Sequence, residues 1–488
     1  MLIPKNNASF MRTKILIKLA ESYFADKFEN ADRIPLELRP KEQQPSRCCI
    51  YKDRAVLKYR CMAGLGAAPD EETDELKTLK EYGKDALERN ELPKSKLSVI
   101  DIACSACIKS QYMVTNACRG CFAQPCRLNC PREAISIVNG RAHIDPEKCV
   151  NCGKCHEVCP YHSIIKVPVP CEEACPVGAI TKDEFGKEHI DTEKCISCGK
   201  CLASCPFGAI VERSQMVDVL KQIHDTDNKV VAMLAPAVVG QFPGDIKNLV
   251  SALKKAGFDE VIEVAVGADI TTQKEAAEFI ERQEAGAKLM TTSCCPAYYR
   301  AAKVHIPEIQ PFVSHTRTPM YYTAELVKQE DPNCKAVFIG PCLAKRVEAE
   351  YDPNVDYVLT FEEVGAIFVA SQINVEECEA EEFNKLSRAQ GRQFPLSGGV
   401  AGAVASLIGD KADYRPEKID GLSKENIKLL KRYATKGCEN NMLEVMCCEG
   451  GCISGPGCVA LPKKASRAVE AYVAAGEQLT TETKPGEK

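Results

Sequence analysis

From residue 216 onward, short apolar runs rich in β-branched residues alternate with stretches whose apolar positions recur every three or four residues. Val230–Leu234, Val261–Val266, Lys288–Thr292, Ala336–Ile339, Tyr357–Thr360 and Leu443–Met446 predict strands. Ile246–Ala256, Thr271–Glu284 and Phe361–Ser371 predict helices. This alternation predicts sheets sandwiched by helices over 216–460, with sites at the C-terminal ends of strands. Residues 461–488 are expected to form a C-terminal helix and tail. Residues 1–95 are mixed, with a proline-bearing stretch (Ile34–Pro45) and a charged, helix-prone one (Asp70–Lys96), and form an N-terminal extension to which the pattern assigns no chemistry. Between 96 and 215 the periodicity gives way to a crowd of one residue type.

That residue is cysteine. The chain holds 29, an odd number, and 16 of them fall between Cys104 and Cys205. Met1–Phe24 has basic residues spread through its apolar positions rather than a continuous signal-type apolar core, and no run approaches the ~18 apolar residues of a membrane span. A reducing cytoplasm is therefore the expected setting, which favours metal ligation over disulfides. The 45% apolar and 27% charged residues are those of a globular protein, and 488 residues allow two to four domains. A net charge of −5 gives no reason to expect nucleic acid or an anionic membrane as partner. Cys48, Cys49 and Cys61 lack metal-type spacing and are expected to be buried free thiols.

The cysteine-rich region repeats internally. His143–Ile164 (HIDPEKCVNCGKCHEVCPYHSI) recurs as His189–Ile210 (HIDTEKCISCGKCLASCPFGAI), and a looser copy, Cys118–Val138, precedes both. Short ligand-rich repeats suit a small domain whose folding energy comes from metal. Cys149, Cys152, Cys155, Cys159 and Cys195, Cys198, Cys201, Cys205 both read C-x2-C-x2-C-x3-C-P, the bacterial ferredoxin spacing. Structural zinc typically uses separated C-x2-C pairs instead. In this spacing three thiolates share one cube and the fourth reaches to its neighbour. Cys118, Cys121 and Cys126 are thus expected with Cys159; Cys149, Cys152 and Cys155 with Cys130; and Cys195, Cys198 and Cys201 with Cys175. Cys104, Cys107, Cys171 and Cys205 remain, a fourth set of four in which Cys104 and Cys107 are equally readable as bystanders. His156, among ligand cysteines, is read as a solvated loop residue.

Three further segments are Thr292–Tyr298 (TSCCPAY), Gly340–Glu348 (GPCLAKRVE) and Glu444–Gly457 (EVMCCEGGCISGPG). In order and separation they resemble the three signature segments of the iron-only hydrogenases. The truncated first segment, and the G-P-C that opens the next, are most similar to the divergent subgroup known as group B. The resemblance implies an α+β ferredoxin-like cluster domain over 96–215, followed by an α/β two-lobed catalytic domain. It also implies an H-cluster, a 4Fe-4S cube joined through a cysteine sulfur to a diiron unit bearing CO, cyanide and an azadithiolate. Carried over position by position, the cube's ligands would be Cys295, Cys342, Cys448 and Cys452, with Cys452 the bridge. Adjacent cysteines in extended backbone point opposite ways, so one of Cys294 and Cys295 is left free. The resemblance makes Cys294 a proton shuttle at the end of a path through Glu275, Glu278, Arg282 and Ser314. Lys345 would bond a cyanide, Met446 would pack on the diiron carbonyls, and Pro236 would line the pocket. Gly450-Gly451 removes side-chain bulk where backbone meets a large cofactor.

There are departures from the prototype. Ala237 replaces a serine, Gly340 a methionine and Met320 a glutamine, while Cys447 and Cys458 are additional thiols. The implied activity is reversible hydrogen oxidation and proton reduction, with a ferredoxin-type electron carrier and diiron maturation proteins as partners. A non-catalytic cluster-assembly factor and a redox or hydrogen sensor on the same fold are the alternative readings. Iron and acid-labile sulfide analysis of a fragment ending near residue 215 tests the cysteine count: four cubes give ~16 irons, and ~12 would remove the fourth.

Overall fold

The computed structural model describes residues 6–477. Its C-terminal part contains two parallel sheets. One is four-stranded, in the order Glu260–Glu263, Val230–Leu234, Lys335–Ile339, Tyr357–Leu359. The other is three-stranded, in the order Met290–Thr291, Met442–Met446, Pro416–Asp420. The central strands Val230–Leu234 and Met442–Met446 are buried at every residue, because helices cover both faces.

Three strands differ from the pattern-based expectation. The Val261–Val266 run leaves the sheet at Glu263, since the helix Ala265–Glu284 begins there. Lys288–Thr292 shortens to Met290–Thr291. The edge strand Pro416–Asp420 carries three charged residues and starts with proline, so no apolar run announced it.

The N-terminal residues form no unit apart. The helix Asn7–Asp26 opens with a capping box between Asn6 and Ser9. It buries Ile15, Leu19 and Tyr23 in the same apolar core as the four-stranded sheet and the helix Phe361–Ala370. The Tyr23 hydroxyl donates to the Leu220 carbonyl at 3.0 Å, and Arg89 pairs with Asp218. Cys61 lies in this core, but Cys48 is exposed and Cys49 only half-buried. Those two precede the first turn of the helix Ile50–Gly64, with Cys49 at its N-cap.

The cysteine-rich stretch is tied at its ends by antiparallel pairing of Leu97–Val99 with Ile210–Glu212. Inside it, small antiparallel pairs (Gln111–Val114 with Ile164–Val167, Ile135–Val138 with Arg141–Ile144, Ile180–Lys182 with Glu188–Ile190) frame four thiol-rich turns. Among the described residues, no helix is long and apolar enough to cross a membrane.

Where these layers meet, Arg346 is 2% exposed. Its guanidinium donates to Glu212 at 2.9 Å and to the Arg213 carbonyl at 2.8 Å, and pairs with Glu363. Burial pushes the Glu212 carboxyl up to about 7 despite the Arg346 charge beside it. Arg346→Ala leaves Glu212 and Glu363 buried without their cation. A loss of about 3–5 kcal/mol is expected, measured as a lowered unfolding midpoint.

Candidate active site

Three strand ends converge on one cavity. Cys294 and Cys295 follow Met290–Thr291, Cys342 follows Lys335–Ile339, and Cys448 and Cys452 follow Met442–Met446. All five thiols line one pocket together with Pro236, Ala237, Met320, Lys345, Phe394 and Met446. Cys295, Cys342, Cys448 and Cys452 are mutual electrostatic neighbours, four soft donors from three loops. Four thiol donors around one cavity fit a thiolate-held cube, and Lys345 in an otherwise apolar wall fits an anionic ligand.

Cys294 and Cys295 open into the same pocket rather than to opposite sides. The strand has ended at Thr291 and Cys295 already caps the helix Pro296–His305, so strand alternation no longer applies. Their surroundings still differ. Both pack toward Met446 and Phe394, but Cys295 also joins the cluster of Cys342 and Cys447, while on Cys294 the carboxyl that acts most strongly is Glu275. Gly450 and Gly451 both have positive φ, +82° and +93°. A Cβ on Gly451 would stand 2.3 Å from the Pro395 carbonyl oxygen, so the bulk is removed for the protein's own 395–397 turn.

Behind Cys294 runs a line of polar groups. Glu275, on the helix Ala265–Glu284, is fully buried, and neither carboxyl oxygen has a hydrogen-bond partner among the described residues. Burial, reinforced by Glu278, raises its pKa to about 8, with only weak relief from Ser314 and the Ser293 backbone. Glu278, one turn on, is held below the usual range. Burial opposes this, but the His315 N–H at 2.9 Å, the Ser314 hydroxyl at 2.7 Å, Thr316 and Arg282 outweigh it. Arg282 pairs with Glu278 at 2.6 Å and donates to the Val313 carbonyl, and the exposed His315 ring stands at the outer end. Ser314 is positioned by its N–H donating to the Thr291 carbonyl at 2.8 Å. Ser314, Glu278 and Arg282 thus form one bonded line to solvent, with Glu275 buried at its inner end.

Lys345 is buried, and its ammonium donates to Glu348 at 2.7 Å. Burial alone would lower its pKa; Glu348 turns the shift upward, so the cation persists in the pocket wall.

The N-terminal thiols form four groups. Cys118, Cys121, Cys126 and Cys159 line one cavity, and Cys130, Cys149, Cys152 and Cys155 another. Cys175 neighbours Cys195, Cys198 and Cys201. Cys104, Cys171 and Cys205 share an apolar cluster with Cys107 against it. Among the described residues, no three Cys, His, Asp or Glu side chains converge closely enough for a single ion. His156 is exposed, its Nδ1 2.5 Å from the Ile164 carbonyl oxygen.

The sequence reading named Cys198 as a cluster ligand but not as part of the main pocket wall, and it missed Phe394–Pro395, whose turn carries no motif. Glu348, three residues after Lys345 on one helix face, was legible from its spacing.

Residues 228–456 match the C-terminal domain of the iron-only hydrogenase large subunit, 142–165 a 4Fe-4S binding domain and 165–216 the LdpA iron–sulfur cluster-binding domain. Iron hydrogenase 1 of Clostridium pasteurianum is 26% identical over 304 residues, 50% of this chain and 53% of that protein. The periplasmic iron hydrogenase large subunit of Nitratidesulfovibrio vulgaris is 27% identical over 309 residues, 51% of this chain and 73% of that protein. Cytosolic iron–sulfur assembly component 3 of Rattus norvegicus is 26% identical over 278 residues, 45% of this chain and 58% of that protein. The chain spans about half the length of the first curated relatives it matches.

A Glu275 carboxyl neutral up to about pH 8 makes stability pH-dependent with a definite sign. The unfolded side chain ionises near 4.5 while the folded one stays protonated, so stability falls as pH rises from about 4.5 to 8 and then levels. Glu275→Gln should remove this slope from the unfolding midpoint; parallel wild-type and variant profiles would refute the raised pKa.

Proposed function

We propose that this iron-only hydrogenase-like chain, whose N-terminal region binds 4Fe-4S clusters and whose C-terminal domain binds the H-cluster, catalyses reversible hydrogen oxidation and proton reduction. The observation that carries the reading is the meeting of Cys294, Lys345 and Met446 in the pocket lined by Cys295, Cys342, Cys448 and Cys452. Those four cysteines hold the cube. The group they hold supplies, when bound, the redox and hydrogen-activating chemistry, and the protein supplies placement and proton handling.

Cys294 Sγ is the terminal proton carrier of the pocket. It accepts from and donates to Glu275, whose neutral carboxyl is ready to give a proton near neutral pH. To refill Glu275 the Ser314 hydroxyl, which donates to Glu278, turns to give its proton to Glu275 and takes one from Glu278, itself protonated from solvent at the mouth of the line where Arg282 holds it. Lys345, anchored by Glu348, presents a fixed positive charge for an anionic ligand such as cyanide. Met446, Phe394 and Pro236 supply apolar walls that keep water out.

Electrons enter through the cysteine groups of 96–215. The lobe spanning 108–166 carries eight basic against four acidic residues, in a chain whose net charge is −5. Arg119, Arg127 and Arg141 stand exposed there beside Phe122 (102% exposed), Leu128 and Tyr161, near the Cys118–Cys126 cavity. A small acidic, ferredoxin-type carrier suits that surface, with charge steering its approach.

Similarity to an iron–sulfur assembly component supports a second reading, a non-catalytic cluster protein. Infrared spectroscopy after maturation separates the two: the hydrogenase shows bands of metal-bound CO and cyanide, the assembly protein none. In the matured protein, Cys294→Ala should keep those bands while turnover falls at least about a hundredfold. Unimpaired turnover would remove Cys294 from the proton line.

A further inference from the structure

Three of the C-P turns in the cysteine-rich region close alike. The Ala134, Ala179 and Ala209 N–H groups donate back to the Cys130, Cys175 and Cys205 sulfurs at 3.3, 3.2 and 3.4 Å. The Cys205 turn differs in what stands behind it. Arg60, half-buried on the helix Ile50–Gly64, donates from Nη2 to the Gly208 carbonyl at 2.8 Å and to the Phe207 carbonyl at 3.0 Å. Arg47 adds a second donor to Phe207 at 3.0 Å.

The Gly208 carbonyl and the Ala209 N–H belong to one peptide group. Guanidinium, peptide and Cys205 sulfur therefore form a single chain of hydrogen bonds, each polarising the next. A Cβ on Gly208 would stand 2.6 Å from Arg60 Nη2, whereas one on the equivalent Gly178 meets nothing within 4 Å. Arg47 shares its charge with Asp53, but among the described residues no carboxylate pairs with Arg60. Glu212 and Glu362 line the same cavity as Arg60 and are taken by Arg346 and Arg12.

We infer that Arg60 is a positioning residue for electron transfer: by polarising the Gly208–Ala209 peptide it strengthens N–H donation to Cys205 Sγ, which raises the reduction potential of the cube held by Cys104, Cys107, Cys171 and Cys205. The inference rests on the reading that these four cysteines hold a cube. A stronger donor to a ligand sulfur stabilises the more negative, reduced cluster. The cube takes one electron from the carrier side and passes one on toward the group of Cys175 and Cys201, with which it shares an apolar cluster. No bond is made or broken, and Arg60 keeps its charge throughout. The N-terminal extension thereby acts on the electron path.

The test is a redox titration of the full-length, cluster-loaded protein followed by electron paramagnetic resonance. Arg60→Gln puts a neutral donor in place of the cation. It should shift one cube about tenfold toward its oxidised form at a fixed ambient potential, ~59 mV for one electron, with iron content unchanged. Arg60→Lys keeps the charge and should avoid most of that shift. Unmoved potentials in the glutamine variant overturn the inference. So does an equal shift in both variants, which makes shape rather than charge the cause, and so does a loss of ~4 irons from the glutamine variant, which makes Arg60 a scaffold. Cys205→Ala controls the underlying reading: it should cost ~4 irons and abolish the same transition that Arg60→Gln moves. If its iron content stays at the wild-type value, the cube assignment itself fails, and the tuning role with it.

Discussion

The Cys195–Cys201 loop lies wedged between the segments that carry Cys295, Cys342 and Cys448. Its tightest point is Gly199, at φ +73°, where a Cβ would stand 2.9 Å from Pro456 and 3.0 Å from Leu343. Any larger residue would push the innermost cysteine group away from the pocket. Arg300, reaching back from the helix that follows Cys295, fastens the same loop through the Cys195 and Thr192 carbonyls. The separation between the two thiol-lined centres is thus set by direct packing of rigid elements, not by a linker.

Electrostatics in the catalytic half follow from the same close packing. Two carboxylates one helical turn apart are driven to opposite protonation states by what surrounds them. Glu275 meets apolar walls and stays neutral, whereas Glu278 collects donors and stays charged. A single environment for both would supply either two bases or two acids, and no gradient along the line. The paired Lys345 and Glu348 are a comparable case, in which a buried cation survives because its counter-charge is built into the same helix.

Much of this was legible before the coordinates. Ligand spacing is a local property, so C-x2-C-x2-C-x3-C gave the cysteine groups directly, and the pairing of Cys130 with the next repeat followed from the same geometry. The central strands were equally plain, since burial on both faces writes an uninterrupted apolar run. What escaped was non-local or unpatterned. The Pro416–Asp420 strand is half polar because it sits at an edge. The Phe394–Pro395 wall comes from an irregular turn, and the main pocket brings Cys198 beside Cys448, about 250 positions away, which no periodicity can announce. The exposed Cys48 shows the opposite failure: a residue type that is usually buried was assigned a place inside without an apolar neighbourhood to hold it.

The helix Asn7–Asp26 rests its apolar stripe on the helix Phe361–Ala370, so it meets that mate only after a long further stretch of chain has been made. The intervening stretch is roughly 335 residues, which at usual ribosome speeds takes on the order of 20–60 s. During that interval Leu19 and Tyr23 have only nearer cover, Leu19 against Gly64 and Tyr23 against Phe28. The cysteine-rich segment emerges within the same window. Its cubes can be inserted while the later strands are still being made, before the closing of the shared core seals the inner cradle against further iron.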